Sequence, residues 1–550
     1  MIHRLGIENM LGFLMIVISM AGCKHTQSEK DTQVFRINYS SGNLESTDPA
    51  FARNLYNMWT VHMLYNTLTE ANASLQVAPS LAKSWTVSED GLEYIFILRD
   101  DVYFQDHPVF PGGKGRKMKA EDVVYSFNRI IDPAVASSGA WIFNDRVATE
   151  NPFEAINDTL LRIRLQAPFR PLPEILSMPY CSVVPKEVVE KYGKDFGRNP
   201  CGTGPFQLKL WDEGNLLILH KNPKYWEKDS AGVLLPYLDA IEVSFIDSKA
   251  SEFFAFLQGR LDFVNGIDGS FKDLVLYKTG VLKEEFRNRF KLHRSTYLNT
   301  EYLGFLTDTT LEKLKHSPIR NKHIRQAINY AIDRKKIAMY LRNGIGTPAT
   351  SGFIPPGMPG HDSSASFGYD YNPDKALSLL EEAGFPQGKG LPEISILTPD
   401  NWSDVVNLIA VQLAACGIKA KVEIIQPNLL RQQMSKSEAL VFRAQWIADY
   451  PDAETFLAFF YGNFPAPPNY TRFRDPQFDE WYRASMRAPD TLRWELYRKM
   501  DSLVMSHAPV APLFYDELMH FTANQVVGFG SNPMNLIDLK KVKKLALSTH

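Results

Sequence analysis

Cysteine is scarce in this chain: four residues in 550. Charge of one sign is equally lacking. The formal net charge is −2 and no basic run stands out, so binding driven by neutralising nucleic-acid phosphates is not expected. Catalytic signatures are missing as well. The chain holds no C-x-x-C pair, no H-E-x-x-H, no G-x-S-x-G and no G-x-G-x-x-G opening a helix. The basic loop Pro111-Gly112-Gly113-Lys114-Gly115-Arg116, read as flexible, lacks the phosphate-loop pattern. The twelve histidines are scattered, and Pro318 between His316 and His323 denies that pair a shared helical face. Asp449, Asp452 and Glu454 lie close together, but without the spacing of a calcium loop no metal is expected. Neither an enzyme nor a bound cofactor is signalled.

What is present begins with an address. Arg4 precedes an apolar run from Met10 to Gly22, too short for a comfortable membrane span. The run ends in Met20-Ala21-Gly22-Cys23, which resembles a bacterial lipobox, with the Cys23 thiol as the site of lipid attachment. Residues 1–22 are read as a cleaved leader and 23–32 as a polar tether. No further run of about 20 apolar residues follows, so an extracytoplasmic, membrane-anchored lipoprotein is expected. That compartment permits disulfides. Cys181 and Cys201 sit in neighbouring segments and are expected as a bridge, worth roughly 3 kcal/mol in the chain-entropy account. Cys416, ending an apolar helical pattern, reads as a buried free thiol.

The remaining length and a 45% hydrophobic composition allow large cores and more than one domain. Val34 to Tyr39 alternates as a half-buried strand, and a helix is predicted over about 58–68. Leu81 to Trp85 and Leu92 to Arg99 flank an Asp90-Gly91 turn. Ala120 to Ile131 has a helical apolar stripe, with Glu121 and Asp122 in its first turn as structural charges. Gly202-Thr203-Gly204-Pro205-Phe206 reads as a tight bend whose glycines take angles closed to other residues. Ile324, Ala327, Ile328 and Ala331 form one helical face, and the charges from Arg325 to Arg334 are assigned to solvent. Strand 394–397, helix 403–416 and strand 419–424 make a β-α-β unit with parallel strands. Val441 to Ile447 then reads as a strand that breaks at Tyr450-Pro451 into a helix over 453–461.

Several of these stretches together resemble the oligopeptide- and dipeptide-binding proteins, the extracytoplasmic solute-binding subunits of peptide ABC importers. They are Pro79-Ser80-Leu81-Ala82-Lys83-Ser84-Trp85, Gly202 to Phe206 followed by Asn222-Pro223-Lys224-Tyr225-Trp226, Ile324 to Arg334, and Arg443-Ala444-Gln445-Trp446-Ile447-Ala448-Asp449-Tyr450. The resemblance covers about residues 34–540. It implies an α/β, bilobal periplasmic-binding-protein (Venus-flytrap) fold with mixed sheets, discontinuous lobes and an extra third domain. One lobe combines 33–60, 195–285 and 515–545; the extra domain is 61–194; the second lobe is 286–514. Implied partners are short peptides, a permease with its ATPase, and the membrane through the lipid; the protein itself is expected as a monomer.

The resemblance also implies a site. Asp449 holds a peptide's α-ammonium group. Arg443 takes the carboxylate of a ligand of suitable length, or pairs with Asp449 or another wall carboxylate. Gln445, Trp446 and Ile447 supply backbone contacts, and Trp446 also forms a pocket wall. Asn54 and Leu55 flank the peptide, and Trp141 lies by a side-chain pocket or packs in the core. The same fold can carry oligosaccharides or metal complexes, and a peptide receptor or chaperone without a transporter would have the same sequence features.

Overall fold

The computed structural model describes residues 33–40, 44–267, 269–365 and 367–545. The leader, the tether and Cys23 lie outside them. Three sheets organise the fold. The first is four-stranded, ordered Val34–Tyr39, Ala240–Phe245, Leu216–Lys221, Phe206–Asp212, with only its first pair parallel. The second is an antiparallel sheet ordered Ala82–Val87, Glu93–Leu98, Leu160–Arg164, Phe153–Asn157. The third runs Phe263–Asn265, Val510–Ala523, Phe290–Phe305, Val441–Ile447, Ile394–Thr398, Ala420–Ile424. Its last two strands are parallel, with the helix Ser403–Ala415 between them in the chain.

Two strands of the third sheet are unusually long. Phe290–Phe305 and Val510–Ala523 run antiparallel almost end to end, but their register shifts between Thr296 and Thr300 and again between Glu301 and Tyr302. Extra residues on one strand bend and twist it at such points.

Local expectations fare unevenly. The first strand is Val34–Tyr39 as read, but the helix after it is Leu55–Leu64, capped by Asn54, whose side chain accepts the Asn57 N–H. The Gly202–Phe206 bend needs its glycines for a different reason from the one expected. Neither Gly202 nor Gly204 has positive φ; a Cβ on either would lie within 2.5 Å of the Leu64–Tyr65 backbone or ring. The bend is stitched to that helix end by Gly204 N–H donating to the Leu64 carbonyl at 3.0 Å. The 111–116 loop is pinned at its end, because Arg116 forks between Asp122 and Glu187.

Two expectations are overturned. Cys181 and Cys201 are both free and buried. Each thiol is held by its own surroundings, Cys181 toward the Ile175 carbonyl and Cys201 toward the Gln105 carbonyl, and burial pushes both thiols up, Cys201 to about 12. The charges from Arg325 to Arg334 do not all face solvent. Arg325 donates to the carbonyls of Ile319, Arg320, His507 and Ala508; Arg334 donates to those of Asn329, Ile332, Tyr369 and Pro512. Both arginines are buried, and they serve as cross-links that tie the helix Lys322–Ala331 to the chain around 507–512. A burial reading based on apolar periodicity misses such residues, because a guanidinium can satisfy several buried carbonyls at once.

Candidate functional site

The strand Val441–Ile447 is the scaffold of the site. Its partner on one side is Phe290–Phe305, with Trp446 opposite Thr300, Ala444 opposite Tyr302 and Phe442 opposite Gly304. At the two ends of this ladder Ala448 N–H donates to the Leu298 carbonyl and Leu306 N–H to the Leu440 carbonyl. Antiparallel pairing alternates hydrogen-bonded and non-bonded pairs. The even-numbered residues therefore point their amides at Phe290–Phe305. Arg443, Gln445 and Ile447 point theirs the other way. On that other edge Ile394–Thr398 meets the strand only through Leu397 opposite Phe442. That bridge engages Arg443 N–H, and from Ala444 to Ile447 the edge has no strand partner among the described residues. The expectation that Trp446 gives a backbone contact is thus corrected: its amide faces Thr300, while Gln445 and Ile447 face the open edge.

The Trp446 ring is fixed as a wall. Its Nε1–H donates to the Thr455 carbonyl at 2.7 Å, and it meets Phe459 edge-on at 5.4 Å. Asp449 follows the strand. Its carboxylate reaches water yet is surrounded by protein, the situation of a group on a cleft wall rather than on an outer surface. Desolvation and the neighbouring Glu454 charge push it up to about 6, against the Thr455 hydroxyl and Arg146, which favour its charged form. Behind it, Glu454 is fully buried and accepts the hydroxyls of Tyr450 and Tyr482. Asp452 accepts Tyr497 O–H and Glu454 N–H, each at 2.8 Å, and faces Arg493 at 3.2 Å. Asp452 and Glu454 thus form a buried hydrogen-bonded turn behind the exposed Asp449, and no group of residues suited to a metal ion occurs among the described residues.

Arg443 is 6% exposed, ion-paired to Glu301 and stacked on the Trp402 ring at 3.5 Å. Its charge is met by a wall carboxylate, though not by Asp449; its Nε has no protein partner. Burial pushes Glu301 up to about 7, with Arg443 opposing. A lone carboxylate in the otherwise uncharged stretch Tyr297 to Phe305 is a signal that could have found this pair, since a buried charge needs a partner.

Other parts of the chain close on Asp449. Tyr180, whose hydroxyl lies 3.2 Å from that of Ser138, is close enough to feel both the Asp449 carboxylate and the Arg53 guanidinium. Arg53 pairs with Glu45 and directly precedes Asn54 and Leu55. Arg146 donates to the Trp141 and Ile142 carbonyls and lies over Phe169 at 4.8 Å. Trp141 is exposed rather than packed in the core. Residues of the 138–180 region, Tyr180 and Arg146, thus approach the Asp449 carboxylate beside an open strand edge, and Arg53 approaches the same Tyr180. Tyr180, Ser138 and Arg146 carry no periodicity or motif that marks them in the sequence.

Comparison with known proteins agrees with this architecture. A family model described as bacterial extracellular solute-binding proteins, family 5 middle, matches residues 76–467. A glutathione-binding protein, GsiB, from Escherichia coli O1:K1 / APEC is 26% identical over 541 residues, 97% of each chain. HbpA2 from Haemophilus parasuis superposes with a TM-score of 0.80 at 22% identity, covering 93% of this chain and 100% of that one. The periplasmic binding protein DppA from Helicobacter pylori, solved with the peptide STSA, gives 0.72 at 24% identity, covering 93% and 98%.

Proposed function

Because this chain belongs to the family 5 bacterial extracellular solute-binding proteins, the binding components of peptide-family ABC importers, we propose that it captures short peptides between its two lobes and hands them to a membrane permease, tethered by a lipid on Cys23. The observation that carries this reading is the open edge at Gln445 and Ile447 ending in Asp449. An extended peptide adds to such an edge as a further strand, which gives affinity without reading side chains. The ammonium end then falls to Asp449 through a charge-assisted hydrogen bond. Trp446 and Trp141 are assigned to side-chain walls, and Arg53, Asn54 and Leu55 to the opposite face. Arg443 is assigned as a brace on Glu301. A ligand carboxylate gains it only by displacing that partner.

Native mass spectrometry of gently purified protein tests the ligand class. Adducts matching peptides of a few residues support the reading, and one discrete non-peptide mass overturns it. Calorimetric titration then tests the site, with trialanine and with glutathione, itself a tripeptide and the ligand named for the GsiB relatives. Asp449→Ala is expected to cost about 2–5 kcal/mol of binding. Affinity of the unaltered protein is expected to rise with pH through about 6, where Asp449 ionises. Unchanged affinity in the variant removes Asp449 from the site.

A further inference from the structure

The turn that carries Asp449 is gripped from behind. Asp452, three residues on, faces Arg493 near the start of the helix Asp490–His507. Arg493 also faces Glu174, on the short helix Leu172–Ile175 that follows the second sheet in the chain. The backbone crosses the same seam, with Arg170 N–H donating to the Met486 carbonyl at 3.2 Å. The Arg493 side chain is 3% exposed and that of Asp452 is 1%.

The Glu174–Arg493 contact is incomplete. Their nearest atoms are 3.8 Å apart, beyond hydrogen-bonding distance. Glu174 Oε2, Arg493 Nε and Arg493 Nη1 are buried with no protein partner. Buried polar groups are normally satisfied, and leaving them so costs free energy. The unused capacity on the two sides is complementary: donor N–H groups of one guanidinium and an acceptor oxygen of one carboxylate, the components of a forked pair. Asp490, also within reach of Arg493 at 3.2 Å, is largely in water and competes weakly.

We propose that Glu174 and Arg493 form a latch across the seam between the extra domain and the second lobe, drawn here one step short of closure, which completes a forked ion pair when the lobes close on ligand. The latch favours the closed state without touching the ligand. Because Arg493 also holds Asp452, closure and the position of Asp449 are set together. The ligand side of this inference rests on the peptide reading above; the seam itself does not.

Trialanine and glutathione are titrated into the unaltered protein and into Glu174→Gln and Arg493→Lys, while melting of the ligand-free proteins is followed in parallel. Both variants are expected to lose about fivefold or more in affinity for whichever tripeptide binds, with ligand-free melting of Glu174→Gln unchanged. Equal affinities overturn the latch, and so does a loss of affinity matched by a fall in ligand-free melting, which marks a static contact. Should neither tripeptide bind any of the proteins, the peptide reading is what fails. The latch is then decided with whatever ligand native mass spectrometry finds on the protein: a fivefold or greater loss of its affinity in Glu174→Gln at unchanged ligand-free melting supports it, and equal affinities overturn it.

Discussion

Arg443 and Asp449 sit six residues apart, and their surroundings give them opposite characters. Arg443 is paired, stacked and almost out of water, so removing it strands Glu301. Arg443→Ala is expected to cost about 3–5 kcal/mol of stability, the usual penalty for a buried charge left alone. Replacing both members, Arg443→Met with Glu301→Met, is expected to restore most of it; denaturant titration of the single and double variants checks this. Peptide affinity retained in the double variant confines Arg443 to bracing. Asp449, by contrast, keeps access to water and has no ion pair within 4 Å among the described residues, which leaves its charge for a ligand. The resemblance of this strand end to that of peptide-binding proteins marked both residues. It could not separate their roles, because the difference lies in Glu301 and Trp402, which come from other strands and loops.

At the level of the element, the useful fact about Val441–Ile447 is which amides face which way. Proline removes one N–H and fits an edge. Gln445→Pro takes away an outward donor and is expected to abolish detectable peptide binding with only a modest loss in melting temperature. Trp446→Pro breaks the ladder to Thr300 and is expected to lower the melting temperature sharply. Similar melting of the two variants contradicts the assigned edge. The strand itself was legible from its apolar run and its break at Pro451, and the β-α-β unit beside it from plain periodicity. The free edge was not legible, since strand order is a long-range property: Ile394–Thr398 touches this strand at one residue and then diverges. The same limit explains the cysteines. Closeness in the chain proposed a bridge, whereas the fold buries each thiol in separate packing.

For the whole molecule, the buried carboxyls decide the response to pH. Asp501, which accepts the Phe353 and Ile354 amides, is pushed up to about 7 by burial; Glu301 stands at about 7 and Glu174 at about 8 for the same leading cause. Each is raised above its unfolded value, so the folded protein holds protons that the unfolded chain has released. Such stability is present at low pH and is lost as pH rises through the folded values. Burial lowers His520 to about 4, so it acts in the opposite sense, but only below about 6.5, its ordinary value. The melting temperature is therefore expected to fall as pH rises from about 6.5 to 8, and Asp501→Asn is expected to flatten part of that slope. A melting temperature that rises across this window contradicts the assignment. The bilobal α/β class was legible as a succession of motifs in order, each weak alone.

The register break between Thr296 and Thr300 carries a consequence for the site. On one side of it residues 290–296 pair with 517–523; on the other, 300–304 pair with 510–515. The two long strands are two ladders in series, and the step between them is held by other parts of the chain: Leu298 N–H donates to the Pro533 carbonyl, and the Leu298 carbonyl accepts Ala448 N–H. Where the long strands let go of each other, the joint is bonded directly to the strand end that carries Asp449, so a change of twist there is felt at that carboxylate.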